Sequence, residues 1–81
     1  MISYSQAAEK AKTADGNPVI HTAWDFGKFY LFSTAPKGVS KTDRYETGTI
    51  FTAVDKASGR VYDYDITEDV NAYLNATVLT V

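Results

Sequence analysis

Phe29-Tyr30-Leu31-Phe32 is the stretch on which the fold turns. Side chains on a strand alternate with a period of two, so Phe29 and Leu31 point to one face and Tyr30 and Phe32 to the other. A strand that is apolar on both faces needs cover on both. The 81 residues make one domain, 1–81, and a chain of this size buries roughly 60 to 65% of the surface its unfolded form exposes. The remaining sequence offers a pair of short helices, enough for one face. The second face is therefore left for the surface of a partner.

Working back from this strand, Asp25-Phe26-Gly27-Lys28 holds a glycine suited to a positive φ and predicts a hairpin turn, with one long strand bulged at Gly27 as the competing reading. Val19 to Asp25 alternates before it, with Ile20, Thr22 and Trp24 on one side and Val19, His21 and Ala23 on the other. Asp15-Gly16-Asn17-Pro18 ends a preceding helix. That helix begins at Ser3, which stands in a capping box with Gln6, and Ile2 is set to staple onto Ala7. Ala7, Ala8, Ala11 and Ala14 with Tyr4 form a narrow apolar stripe that lets the helix lie close on a sheet.

Working forward, residues 36–48 read PKGVSKTDRYETG, a polar and charged loop of the length that carries contacts. Thr49 to Asp55 alternates again, and Asp55-Lys56-Ala57-Ser58-Gly59 turns the chain into Arg60 to Tyr64. A short helix follows, capped at Asp65 with Glu68 or at Thr67, with Val70, Tyr73 and Leu74 on one face. Thr77 to Val81 has strand propensity and no charged side chain, as an edge strand or as an apolar terminus needing cover. The expected fold is α+β: N-terminal helix, four-stranded antiparallel sheet and short C-terminal helix, with both helices on one sheet face.

Composition narrows the function. Eight basic residues against ten acidic ones give a net charge of −2, with no basic stripe to meet phosphates, so nucleic acid is not expected. There is no cysteine, which fits a reducing compartment. The opening MISYSQAAEKAK lacks the apolar core of about seven to fifteen residues that a signal peptide carries, and no run approaches the roughly 18 apolar residues of a membrane span. The expectation is a cytoplasmic protein that does not engage a membrane.

Catalytic chemistry finds little to work with. His21 is the sole histidine, and a general base needs a nucleophile or an orienting carboxylate beside it, so it is read as structural. A hydrolase or transferase using His21 with a nearby aspartate is the rival from the enzyme class. Asp63 and Asp65 share a strand face without the further ligands a metal needs. Asp55, Asp65, Glu68 and Asp69 are explained by turns, caps and a first helical turn, and no glycine pattern cradles a phosphate. No cofactor, metal or catalytic residue is assigned. The candidate binding residues are Trp24, Tyr30 and Phe32 from the aromatic strands, with Arg44 and Tyr45 from the loop.

One further pattern runs through Met1-Ile2-Ser3-Tyr4 with Ala7, Ala8 and Ala11, then Phe29-Tyr30-Leu31-Phe32, then Val54-Asp55-Lys56-Ala57-Ser58-Gly59-Arg60-Val61, then Thr67 through Tyr73-Leu74. This order resembles the YrhB-like family of small bacterial proteins, also called immunity protein 35. The turn also resembles that of PepSY-type domains. The first resemblance implies a cytoplasmic, non-catalytic protein that neutralises a cognate toxin through a sheet face and loop. The second implies a peptidase inhibitor or regulator, and a phage or prophage accessory protein acting as a homodimer is the other alternative.

Overall fold

A computed structural model describes residues 1–39 and 48–79. The elements run α1 (Tyr4–Asp15), β1 (Val19–Asp25), β2 (Phe29–Ala35), β3 (Ile50–Asp55), β4 (Val61–Asp65), α2 (Val70–Asn75) and β5 (Thr77–Leu79). The sheet has five strands, not four, in the order β4-β3-β2-β1-β5, and every pairing is antiparallel. The added strand is the uncharged tail: Thr77, Val78 and Leu79 pair with Asp25, Trp24 and Ala23.

The capping and stop signals for α1 are realised, whereas Ala14 of the expected stripe lies past the contact with the sheet and is exposed. Ser3 Oγ accepts from the Gln6 N–H at 3.2 Å and the Gln6 side chain accepts from the Ser3 N–H at 2.9 Å, completing the capping box. Gly16 closes the helix in the left-handed region at φ 68°. Ala7 and Ala11 are fully buried, and their small size brings α1 down onto Ala23, Phe32 and Val54, with Ile2, Tyr4, Ile20, Tyr30, Val61 and Leu79 around them. Phe32 and Val54 are also fully buried, each contributing about 2 kcal/mol of hydrophobic stabilisation.

The hairpin between β1 and β2 forms at residues 26–28: the Phe26 N–H donates to the Phe29 carbonyl at 3.0 Å, the Gly27 N–H donates to Asp25 Oδ1 at 2.7 Å, and Gly27 takes φ 93°. The irregularity of β1 lies elsewhere. Ile20 pairs with Thr34 and Thr22 with Ser33, so His21 is an extra residue in a β-bulge. A bulge reverses the alternation, which is why Ile20 joins the face of Ala23 and not that of Trp24 as strict alternation predicts.

The two helices lie on opposite faces of the sheet, which corrects the expectation that both share one. β4 and β5 are the two edges and run parallel to each other, so the chain between them must cross a face. With α1 on the face of Phe32, α2 crosses the other, and Tyr73 and Ala76 pack with Trp24, Leu31 and Ala53. The helix also starts later than expected. Asp69 is its cap, accepting from the Ala72 N–H at 3.0 Å, while Asp65 Oδ1 instead holds a turn through the N–H and hydroxyl of Thr67. Of the three residues expected on its inner face, Val70, Tyr73 and Leu74, only Tyr73 turns inward; Val70 and Leu74 are 50% and 70% exposed.

Candidate functional site

The face opposite α1 is built by the period-two alternation of three strands. Phe29 and Leu31 on β2, Phe51 and Ala53 on β3, and Tyr62 and Tyr64 on β4 point the same way, joined by Trp24 from β1, Phe26 from the hairpin and Ile66 from the turn after β4. Leu31 and Ala53 are fully buried beneath the rings, and Trp24 is 8% exposed. Phe26, Phe29, Phe51, Tyr62, Tyr64 and Tyr73 are half-buried.

The rings divide into two groups. Trp24 packs on Phe51 at a centroid distance of 5.2 Å and on Tyr73 at 5.6 Å, so α2 covers this part. Phe26, Phe29, Tyr62 and Tyr64 form the other group: Phe26 stacks on Phe29 at 4.8 Å, and Tyr64 meets Phe26 at 5.4 Å and Phe29 at 5.2 Å. Tyr62 meets Phe29 edge-on at 6.0 Å. Such offset and edge-to-face contacts fix the rings against one another, so the surface they share is organised before anything binds.

The rim of this quartet is charged. The Arg60 guanidinium lies 5.0 Å from the centre of the Tyr62 ring. Burial, and then the nearby carboxylates of Asp69 and Glu68, push the Tyr64 phenol above its ordinary value. Burial followed by Asp55 does the same for Tyr62. Both phenols stay protonated at neutral pH and offer a hydroxyl as donor and acceptor on an otherwise apolar face.

The residues singled out from the sequence do not converge. Trp24 lies on the aromatic face beneath Tyr73 and Phe51. Tyr30 lies on the α1 face, edge-on to Tyr4 at 5.5 Å and 4.6 Å beneath Lys56 Nζ. Phe32 is fully buried under α1, which corrects its placement at a binding surface: it fills the core because the alanine stripe lies against it. Arg44 and Tyr45 lie outside the described residues. Phe29, Tyr62 and Tyr64 were legible as one stripe only once β2, β3 and β4 are laid side by side in register.

Apart from this face, a polar cavity of about 280 Å³ opens at the end of α1, lined by Asp15, Asn17, Thr34, Thr52 and Asp63 among others. Its carboxylate is engaged structurally. Asp15 accepts the hydroxyls of Thr34 and Thr52, each at 2.7 Å, and Asn17 donates to Thr34 Oγ1 at 3.0 Å. His21 is not among the residues lining it; its Nδ1 lies 3.1 Å from Thr22 Oγ1. Among the described residues no three His, Cys, Asp or Glu side chains are grouped to hold a metal ion, and no helix is long and apolar enough to cross a membrane. No family model matches the chain, and no curated protein or solved structure gives a significant match to it.

Proposed function

We propose that this chain is a non-catalytic binding protein that engages a protein partner through the aromatic face of its sheet. The observation that carries the reading is the Phe26, Phe29, Tyr62 and Tyr64 quartet: four rings packed on one another and only half-buried, on the sheet face that α2 crosses. Rigid aromatic side chains offer large contact area at low entropic cost, which is why tyrosine is favoured at interfaces. The carboxylates of Asp69 and Glu68 beside Tyr64 favour a partner that presents an apolar segment flanked by basic side chains. The toxin-neutralising role implied by the family resemblance is the form of this reading we favour, with peptidase regulation as the alternative.

The test is a photoreactive amino acid placed at Tyr62 and, as a control on the opposite side of the molecule, at Gln6, in cells that naturally carry the gene. A partner crosslinked from position 62 and not from position 6 supports the face as the interface. Equal crosslinking from both, or none from position 62, overturns it. Relief of growth arrest when the crosslinked partner is co-expressed with this chain is required by the immunity reading; a partner without toxicity retains binding and discards immunity.

A further inference from the structure

Tyrosine rings meet cations at two places among the described residues, and each time a carboxylate stands beside them. Lys56 Nζ lies 4.6 Å from the centre of the Tyr30 ring while donating to Asp25 Oδ1 at 2.8 Å. The Arg60 guanidinium lies 5.0 Å from the centre of the Tyr62 ring, and Asp55 lines one surface pocket with both. The ring quadrupole and the carboxylate attract the same positive charge, so each set holds its cation from two directions. Tyr64 has the ring and the carboxylates of such a set. It is half-buried in the quartet, with Asp69 and Glu68 near its phenol. Asp69 uses Oδ1 to cap α2, at 3.0 Å from the Ala72 N–H, and Glu68 is exposed. Among the described residues no lysine or arginine lies over the Tyr64 ring or pairs with Glu68 or Asp69. The sequence supplies none nearby in the chain: all eight lysines and arginines fall within residues 1–60, while residues 61–81 hold Asp63, Asp65, Glu68 and Asp69 and no basic side chain.

We infer that the Tyr64 ring, with the carboxylates of Glu68 and Asp69, is the seat of an arginine side chain that the protein partner projects onto the aromatic face. The inference rests on the reading of that face as the partner's dock and names the group it recognises. Charge complementarity selects a cation, because two carboxylates and a ring face converge where the chain brings no positive charge of its own. Geometry selects arginine over lysine. A guanidinium is planar and weakly hydrated, so it lies flat on a ring while its fork of N–H donors reaches carboxylates at the rim; an ammonium is a strongly hydrated point charge that cannot do both as well. The ring itself is held for this task, since Phe26 and Phe29 pack on it at 5.4 and 5.2 Å. Tyr62, one position removed on the same strand face, already carries Arg60, so the partner's arginine is directed to Tyr64.

The experiment is an NMR titration of the whole chain with N-acetyl-arginine amide, with the lysine and citrulline amides as comparisons, all at one ionic strength. Arginine amide is expected to give saturable shifts at the amides of Tyr64 to Asp69 and none at Gln6. Lysine amide binds more weakly, and the uncharged citrulline amide gives no saturable shift. Glu68→Gln together with Asp69→Asn, which keeps a side chain able to cap α2, weakens arginine binding about fivefold, the loss expected of two exposed ion pairs. Tyr64→Phe retains binding and Tyr64→Leu loses it, and thermal melts of both variants confirm that the chain is folded. Citrulline acting as arginine does, lysine binding as tightly as arginine, shifts that never saturate, or an affinity that the double variant leaves unchanged overturns the inference. Its failure is distinct from that of the proposed interface: a partner crosslinked from position 62 with no arginine response at Tyr64 keeps the face and discards the seat.

Discussion

The indole of Trp24 and the phenol ring of Tyr73 lie 5.6 Å apart, and this contact joins the α2 crossover to the sheet. α2 is a helix of six residues, too short to hold itself together in water, and it has no fully buried side chain. Its position therefore depends on Tyr73 and Ala76 reaching the aromatic face. Because β5 follows directly, the same contact steadies the edge strand that pairs with Trp24.

Tyr73→Ala is expected to lower stability by about 1 to 3 kcal/mol, less than for a fully buried aromatic because Tyr73 is half-buried. Trp24 is the only tryptophan, so its fluorescence reports on the contact: emission shifts to the red as the ring gains solvent. Amide hydrogen exchange in β5 accelerates while β2 and β3 keep their protection. An unchanged emission maximum with uniform loss of protection would mean that α2 is held by other contacts.

Asp15 stands at the last position of α1, where the helix dipole disfavours a negative charge. Its place is explained by the sheet: it accepts the hydroxyls of Thr34 on β2 and Thr52 on β3 at 2.7 Å, tying the helix end to two strands. Hydrogen bonds to charged groups contribute roughly 1.5 to 3 kcal/mol each, and exposure of Asp15 places these near the low end. Thr52→Val, which keeps the shape of a buried side chain, is expected to cost about 1 to 2 kcal/mol. In a double-mutant cycle with Asp15→Ala the two losses are less than additive. Strict additivity in denaturant titrations would mean that the two residues act independently.

Lys56 Nζ donates to Asp25 Oδ1 at 2.8 Å while lying over the Tyr30 ring, so one ammonium links the turn after β3 to the hairpin between β1 and β2. The Lys56 hydrogen bond, and then the Gly27 N–H, hold the Asp25 carboxyl below its ordinary value. A carboxylate with a lowered folded-state pKa stabilises fully above the unfolded value, about pH 4, and the contribution is lost as pH falls through the folded value. Stability is therefore expected to be flat from pH 7 to about pH 5 and to decline below about pH 4. Lys56→Met makes that acid decline shallower and lowers stability at neutral pH. An acid limb as steep as that of the unaltered chain would assign the pH dependence to other carboxylates such as Asp55 and Asp65, which turn hydrogen bonds also hold low.

What the sequence made legible, and what it did not, follows from the range of the interactions involved. The α1 cap, the Gly16 stop and the alternation of β2 and β3 are local, and all are realised. The division of Phe29 and Leu31 from Tyr30 and Phe32 also holds, because a strand without a bulge must alternate. The bulge at His21 is not legible, because no glycine or proline marks it, and it moves Ile20 to the other face. The path of α2 depended on which strands become edges, a property of strand order and not of any segment. That α1 would take the side of Tyr30 and Phe32 and leave Trp24 on the other is not legible for the same reason: large aromatic area does not say which side α1 will take. The Asp15 clamp joins residues distant in sequence, and no spacing rule announces it.

The alanine stripe of α1 gives the sharpest test of how closely that helix sits. Ala11 is fully buried against the cluster of Phe32 and Val54, whereas Ala14 on the same helix is exposed. Adding the bulk of a leucine at position 11 forces the helix off the sheet or the rings off their rotamers, at a cost of typically 1 to 3 kcal/mol. The same substitution at position 14 meets solvent, and because leucine forms helix nearly as well as alanine, its effect stays within about 0.5 kcal/mol. Ala11→Leu is thus expected to lower the denaturation midpoint clearly while Ala14→Leu leaves it in place. The displaced helix end also strains the Asp15 hydroxyl contacts, so Ala11→Leu and Thr52→Val combine to less than the sum of their separate losses. Equal midpoints for the two leucine variants would mean that α1 rides loosely over Phe32 and that its small residues are not what sets the spacing between helix and sheet.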